Sequence, residues 1–308
     1  MKMILDYDQI DPLLLPALDN FPPLDITRDN LSAVREMLAQ MPSSPKPEGV
    51  IESKATISTD SSELDIYIYR KSDRANQPAV VWIHGGGYIF GSAEDDRSMR
   101  IATECDCTVF SVGYRLAPEH PFPAGPEDCY AALQWLMTGK SGYDIDLDRV
   151  ALGGASAGGG MAAGVILMNR DRDNFPLTLQ LLIYPMIDNL HATSSGQYEN
   201  HPVWNRGTSD NAWEMYLGGT PDHDTSPYAA ASRAIDLSGL PPAVPRNITI
   251  RAVPSIFDSL ITWSISFADR RPYSTSSTPM YGAPSISPRA PTTGIPAAHA
   301  SFTAGSIP

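Results

Sequence analysis

The chain is short of basic residues. Against 35 Asp and Glu it carries only 22 Lys and Arg, a formal net charge of −13 over 308 residues. Binding nucleic-acid phosphates non-specifically needs a basic face, so that class is excluded. An electrostatic anchor to anionic lipid is disfavoured for the same reason. Cysteine is scarce as well. Cys105, Cys107 and Cys129 are odd in number, and none stands at a four-ligand zinc spacing. Neither a disulfide framework nor a structural metal site is expected, and the three read as reduced thiols of a cytoplasmic protein. No apolar run approaches the roughly 18 residues of a membrane span. Met1–Ile10 contains Asp6 and Asp8, and no apolar stretch follows that would read as a secretory signal.

What is present is an ordinary globular composition, 42% hydrophobic, in a chain long enough to bury a core without staples. Residues 1–48 are Pro-rich, with one helical stretch that Asn30 can cap, where Leu31, Val34, Met37 and Leu38 recur at helical spacing. Strands follow at Ile51–Thr59 and around Leu64, Ile66 and Ile68. Ala79–Ile83 and Thr108–Val112 are unbroken apolar runs, the mark of strands buried on both faces. Asp128–Met137 reads as a helix capped by Asp128, Arg149–Leu152 as a short strand, Met161–Asn169 as a helix and Leu177–Ile183 as a strand. Alternating strands and helices predict an α/β fold with a mostly parallel sheet. Residues 190–220 are polar, with Trp204, Trp213 and Tyr216 interspersed, and look like an insertion.

Two Gly-rich stretches carry the chemistry. Gly154-Ala-Ser156-Ala-Gly158 is a G-x-S-x-G lying directly between a strand and a helix. A sharp turn there lifts the Ser156 hydroxyl to a helix N-terminus and needs small neighbours for close packing. His84-Gly-Gly-Gly87 follows the buried strand ending at Ile83. Its glycines let backbone N–H groups face a ligand without Cβ obstruction, which suits stabilisation of an oxyanion. Each stretch alone also fits a phosphate-cradling loop, but the Walker lysine is missing. Asp222-His223-Asp224 reads as an exposed turn, and nothing nearby completes a ligand set.

His84-Gly-Gly-Gly-Tyr-Ile-Phe-Gly-Ser92, Tyr114-Arg-Leu-Ala-Pro-Glu-His-Pro-Phe-Pro-Ala124, Gly154-Ala-Ser-Ala-Gly-Gly159 and Ser238-Gly-Leu-Pro-Pro242 occur in a telling order and spacing. Over roughly residues 50–243 the chain resembles the hormone-sensitive-lipase family of α/β-hydrolases. The resemblance implies an α/β-hydrolase fold with a core over 49–243. It implies a helical cap built from residues 1–48 and the 190–220 insertion. It implies a cofactor-free hydrolase of small-molecule esters with short or medium acyl chains, using Ser156 as nucleophile. The N–H groups of Gly85, Gly86 and Ala157 would form the oxyanion hole, supported by His84, Gly87, Gly154 and Gly158. His84 would orient the loop rather than act as base.

In this fold the nucleophile is followed by an acid and then a histidine. Neither family segment is evident. Asp258 is the nearest acid, after a candidate strand Asn247–Val253, and His299 is the only histidine in order after it. Both stand in a tail of different character. From Ala243 to Pro308 there are 9 Pro, 11 Ser and 7 Thr, with no Lys and no Glu. A shift of reading frame shortly after Ala243 would produce such a change. In the frame that joins each codon's last base to the next two, the region before Ile286 permits His-Val-Trp-Gly-Ala-Phe-His, close to the family's His segment. The alternatives to an intact esterase are an impaired or truncated homologue and a non-catalytic protein that binds a small ligand in the same pocket. The oligomeric state is not legible.

Overall fold

In the computed structural model the described residues are 24–41 and 44–246, with Leu15–Asp19 and scattered positions before it. Seven strands are β1 (Ile51–Ser58), β2 (Glu63–Arg70), β3 (Gln77–Ile83), β4 (Thr108–Val112), β5 (Ile145–Ala155), β6 (Leu179–Ile183) and β7 (Ala243–Arg246). They form one sheet in the order β1-β2-β4-β3-β5-β6-β7. β1 and β2 pair antiparallel, as do β2 and β4, and every other neighbouring pair is parallel. β7 straddles the boundary at residue 243 that composition suggests. The strand Asn247–Val253 expected from sequence lies outside the described residues.

The helices are α1 (Leu15–Asp19), α2 (Leu31–Ala39), α3 (Asp96–Cys105), α4 (Ala124–Met137), α5 (Ala157–Asp171) and α6 (Arg206–Leu217). Why β3 is apolar throughout is visible in what its two sides touch. Val81 and Ile83 join the core with Leu133, Leu136, Val165 and Ile166 of α4 and α5. Val80 and Trp82 point the other way, to Met99, Ile101 and Ala102 of α3. Helices on both faces leave no side of the strand for water. Trp82 is fully buried, worth roughly 4 kcal/mol by area alone. Its indole N–H donates to Asp95 Oδ2 at 2.7 Å, while Asp95 Oδ1 accepts from Arg97 N–H at 3.0 Å and caps α3. One carboxylate thus fixes a strand and starts a helix.

Asp128 departs from expectation. Helix α4 begins at Ala124, so Asp128 lies inside it and does not cap it. Its side chain is 1% exposed and pairs with Arg115. Oδ2 accepts from the Arg115 backbone N–H and Nε, both at 2.9 Å, and Oδ1 from Nη2 at 2.8 Å. A carboxylate with three charge-assisted partners can be buried where a lone one cannot. Asn30 does precede α2, but its side chain serves the turn before it, accepting from Thr27 N–H at 2.8 Å.

The segment around Leu24–Leu31 and helix α6 pack on one another. Leu24, Ile26 and Leu31 are buried. The Thr208 hydroxyl of α6 donates to the Leu24 carbonyl and accepts from Ile26 N–H at 3.3 Å. The Asn211 amide reaches the Ile26 carbonyl at 2.8 Å. Trp213 of α6 is fully buried against Tyr88 and Tyr216, with ring centroids 5.3 and 5.8 Å away. It is core packing, whereas Trp204 is only partly buried.

Candidate active site

Ser156 occupies the turn from β5 into α5 with φ 57° and ψ −119°. Such a backbone is costly for a residue with a side chain and survives only where its surroundings hold it. Three bonds do so. Ser156 N–H donates to the Ile183 carbonyl at 2.9 Å. Its own carbonyl accepts from Gly160 N–H at 3.0 Å and Met186 N–H at 2.9 Å. The turn also needs small neighbours, as the sequence predicts. A Cβ on Gly154 would sit 2.4 Å from the Gly158 carbonyl oxygen, and one on Gly158 only 2.0 Å from that of Ile83.

The loop after β3 runs beside this turn. A Cβ built on Gly85 would lie 3.5 Å from Ser156 Cβ. Gly86 and Gly87 take φ of 114° and 59°, a region that favours glycine. The Gly86 carbonyl accepts from both Ile89 and Phe90 N–H at 3.0 Å, which closes the loop. Among the described residues, the N–H groups of Gly85 and Gly86 meet no acceptor. Ala157 is the first residue of α5, so its N–H has no partner within the helix. Ser156 therefore stands at the positive end of α5, with the Gly85 backbone beside it.

His84 is buried and braces the loop. Its ring stacks on Tyr114, with centroids 4.3 Å apart and planes 17° apart. The Tyr114 hydroxyl donates to the His84 carbonyl at 3.0 Å. Nδ1 lies 2.7 Å from the Gly85 carbonyl, which can only accept, so the proton resides on Nδ1. Burial pushes its pKa from 6.5 down to about 4, so the ring is neutral at ordinary pH. Gly91 fits against it: a Cβ there would stand 2.5 Å from Nδ1.

The sequence-predicted nucleophile, loop and supporting glycines thus come together. No described histidine hydrogen-bonds Ser156. His191 binds Ser209 Oγ at 2.6 Å, and His201 accepts from Val203 and Trp204 N–H at 3.2 Å. His120 is exposed, and His223 lies in the exposed turn predicted for Asp222–Asp224, whose Asp222 Oδ1 accepts from Asp224 N–H at 3.0 Å. Asp258 and His299 lie outside the described residues. Sequence reading missed Tyr88, whose hydroxyl donates at 2.6 Å to the carbonyl of Met186, the residue whose N–H holds Ser156. Its place inside the Gly-rich motif was the available signal. Trp204 rests on the loop: its ring is 2.3 Å from where a Cβ on Gly87 would be.

The profile of a family described as alpha/beta hydrolase fold matches residues 80–245. The chain is 36% identical over 242 residues to carboxylesterase NlhH of Mycobacterium tuberculosis, covering 76% of each. It is 32% identical over 233 residues to an arylesterase of Saccharolobus solfataricus, covering 72% of this chain and 74% of that one. Among solved structures it is similar to a bacterial heroin esterase, with TM-score 0.70 and 36% identity over 78% of this chain and 79% of that one. The LipW esterase of Mycobacterium marinum gives TM-score 0.70 and 28% identity over 79% and 78%. With this sheet order, this strand–serine–helix turn and a match across more than half its length, the chain belongs to the alpha/beta hydrolase fold family, in its hormone-sensitive-lipase group.

Proposed function

We propose that the protein hydrolyses carboxylic esters of small molecules through an acyl-enzyme on Ser156. The observation that carries this reading is the strained Ser156 turn lying beside the unpaired Gly85 and Gly86 N–H groups. Relatives named carboxylesterase and arylesterase support the reaction class.

Ser156 Oγ attacks the ester carbonyl as a base takes its proton. The carbonyl oxygen becomes an oxyanion held by the N–H groups of Gly85, Gly86 and Ala157. Losing one such donor lowers the rate on the order of 10²–10³-fold. The tetrahedral adduct collapses, the base returns the proton to the departing alkoxide, and an alcohol leaves. Water then attacks the acyl-serine by the same route, releasing the carboxylic acid and restoring the hydroxyl. The base is a histidine held in one tautomer by an acid. His299 and Asp258 are the residues we assign to test first for these roles.

Short or medium uncharged acyl chains are the substrates we expect, from the resemblance to the hormone-sensitive-lipase family. The compartment we assign is the cytoplasm, on three free thiols. Among the described residues no helix is long and apolar enough to cross a membrane.

The test is hydrolysis of p-nitrophenyl butyrate by the full chain, beside Ser156→Ala and His299→Ala. Turnover in the parent that drops to background in Ser156→Ala supports the reading. Turnover indifferent to Ser156, or a folded protein with none, would sink it. That the sequence after Ser156 shows no evident family His segment favours one second reading, a pocket that binds a small ester or acid without turning it over. Stoichiometric binding that survives Ser156→Ala would mark that case.

A further inference from the structure

The loop Gly85–Gly91 has an improbable backbone. Gly86, Gly87, Tyr88 and Gly91 all have positive φ, at 114°, 59°, 69° and 111°. Such a segment keeps its shape only when its surroundings over-determine it. Three restraints come from the core. His84 Nδ1 donates to the Gly85 carbonyl, the Tyr88 hydroxyl donates to the Met186 carbonyl, and Ala117 N–H donates to the Tyr88 carbonyl at 3.1 Å.

A fourth comes from the N-terminal segment. Arg35, on α2, donates from Nε to the Ile89 carbonyl and from Nη2 to the Ala117 carbonyl, both at 2.8 Å. The rest of the fork meets Glu119, with Nη1 to Oε1 at 2.7 Å and Nη2 to Oε2 at 2.9 Å. The guanidinium beside Glu119 holds that carboxyl below the usual carboxylate range. Glu119 is 54% exposed, so as an ion pair alone the contact adds little. What water would not replace is the planar fork fixed on two carbonyls at once. Those carbonyls belong to two loops that Ala117 N–H and the Tyr88 carbonyl already join. Lysine has no such fork. Arg35 also precedes residue 80, where the family match begins.

We propose that Arg35 is a positioning residue: through the Ile89 and Ala117 carbonyls it holds the Gly85–Gly91 loop in the shape that aims the Gly85 and Gly86 N–H groups at the reacting oxygen. The N-terminal segment is then part of the reaction machinery and more than a lid over it. The kinetic half of this inference rests on the esterase reading, and the structural half does not.

The experiment compares the full chain with Arg35→Met, Arg35→Lys and Glu119→Gln. Hydrogen exchange by mass spectrometry reads the peptides spanning 84–92 and those of β3 and β5. Arg35→Met is expected to exchange about tenfold faster over 84–92, with the strands unchanged. Against p-nitrophenyl butyrate its kcat is expected to fall about tenfold or more with KM within about twofold, since the donors act mainly in the transition state. Arg35→Lys should recover part of both, and Glu119→Gln should stay near the parent. Unchanged exchange over 84–92, or a rise equal in the strands, overturns the proposal, as does a loss of kcat/KM that lies in KM. If Arg35→Met does not fold, Arg35→Lys carries the same comparison, with the same outcomes. A parent without turnover would defeat the esterase reading, while the exchange data still decide the clamp.

Discussion

Gly158 approaches Ile83 so closely that a methyl group on its α-carbon would sit 2.0 Å from the Ile83 carbonyl oxygen and 2.4 Å from that of His84. Both obstacles are backbone at the end of the central strand. Gly158→Ala therefore sets two effects against each other. Alanine in a helix is favoured over glycine by about 1 kcal/mol. Overpacking against atoms that cannot rotate away typically costs about 1–3 kcal/mol, and this overlap is severe. A net destabilisation of about 2 kcal/mol is expected in urea unfolding. A stabilised variant would mean that α5 sits further from β3 than described.

Gly87 and Trp204 form a second tight pair, of a different kind. A Cβ on Gly87 meets the Trp204 ring at 2.3 Å, and its φ of 59° is unfavourable for alanine in any case. Gly87→Ala should lose stability from both causes, whereas Trp204→Ala removes only the clash. In a double-mutant cycle the pair should be less destabilised than the sum of its parts, with a coupling of about 1 kcal/mol. Strict additivity would show that Trp204 moves aside freely.

His84 gives the fold a pH dependence. Its folded pKa is depressed to about 4 from 6.5 by burial, so between these values the unfolded chain binds more protons than the folded one. Stability is then present above the unfolded pKa and falls as pH drops from about 6.5 towards 4. By pH 5 the loss attributable to this group is about 2 kcal/mol. Burial lowers His191 and His201 in the same direction. Only the difference between parent and His84→Asn isolates the effect. Chemical denaturation at pH 7 and pH 5 should show a shallower loss in the variant; parallel losses would place the titration elsewhere.

Asp128 and Arg115 are a buried carboxylate and its clamp. Asp128→Ala strands the Arg115 guanidinium, whose side chain is 21% exposed, and its backbone N–H. Removing one partner of such a pair leaves groups unpaired, at about 2–3 kcal/mol after allowing for the water that reaches the arginine. Thermal unfolding should show this as a lower Tm for Asp128→Ala than for Asp146→Ala. Asp146, 22% exposed, pairs with Arg149, 34% exposed. Equal losses would argue that the Asp128 pair is solvated.

Most of the sheet was legible because its strands carry their own signature. Thr108–Val112 is found where the apolar run predicts it, and the Ala79–Ile83 run is extended by two residues in β3. Helix α3 was not legible. Its sequence, Asp96-Arg-Ser-Met-Arg-Ile-Ala-Thr-Glu-Cys105, is mostly polar, and only packing buries Met99, Ile101 and Ala102 against the sheet. The cap from Asp95 was the one local clue. Asp128 misled for the complementary reason. An acid near a helix start reads as a cap, and nothing local announces Arg115, 13 residues earlier, as its partner.

The sequence by itself determined the turn at Ser156, the Gly85–Gly87 loop and the glycines around them, the residues we propose as nucleophile and donors. These depend on a strand feeding directly into a turn and a helix, and such geometry is written in adjacent residues. The tertiary structure alone decided which distant groups hold that geometry. Arg35 reaches the Ile89 carbonyl across 54 residues, Tyr88 reaches the Met186 carbonyl across 98, and Thr208 reaches the Leu24 carbonyl across 184. A side chain on a helix or loop shows its type in the sequence. The backbone carbonyl it finds carries no residue identity, so only the folded path of the chain can name it.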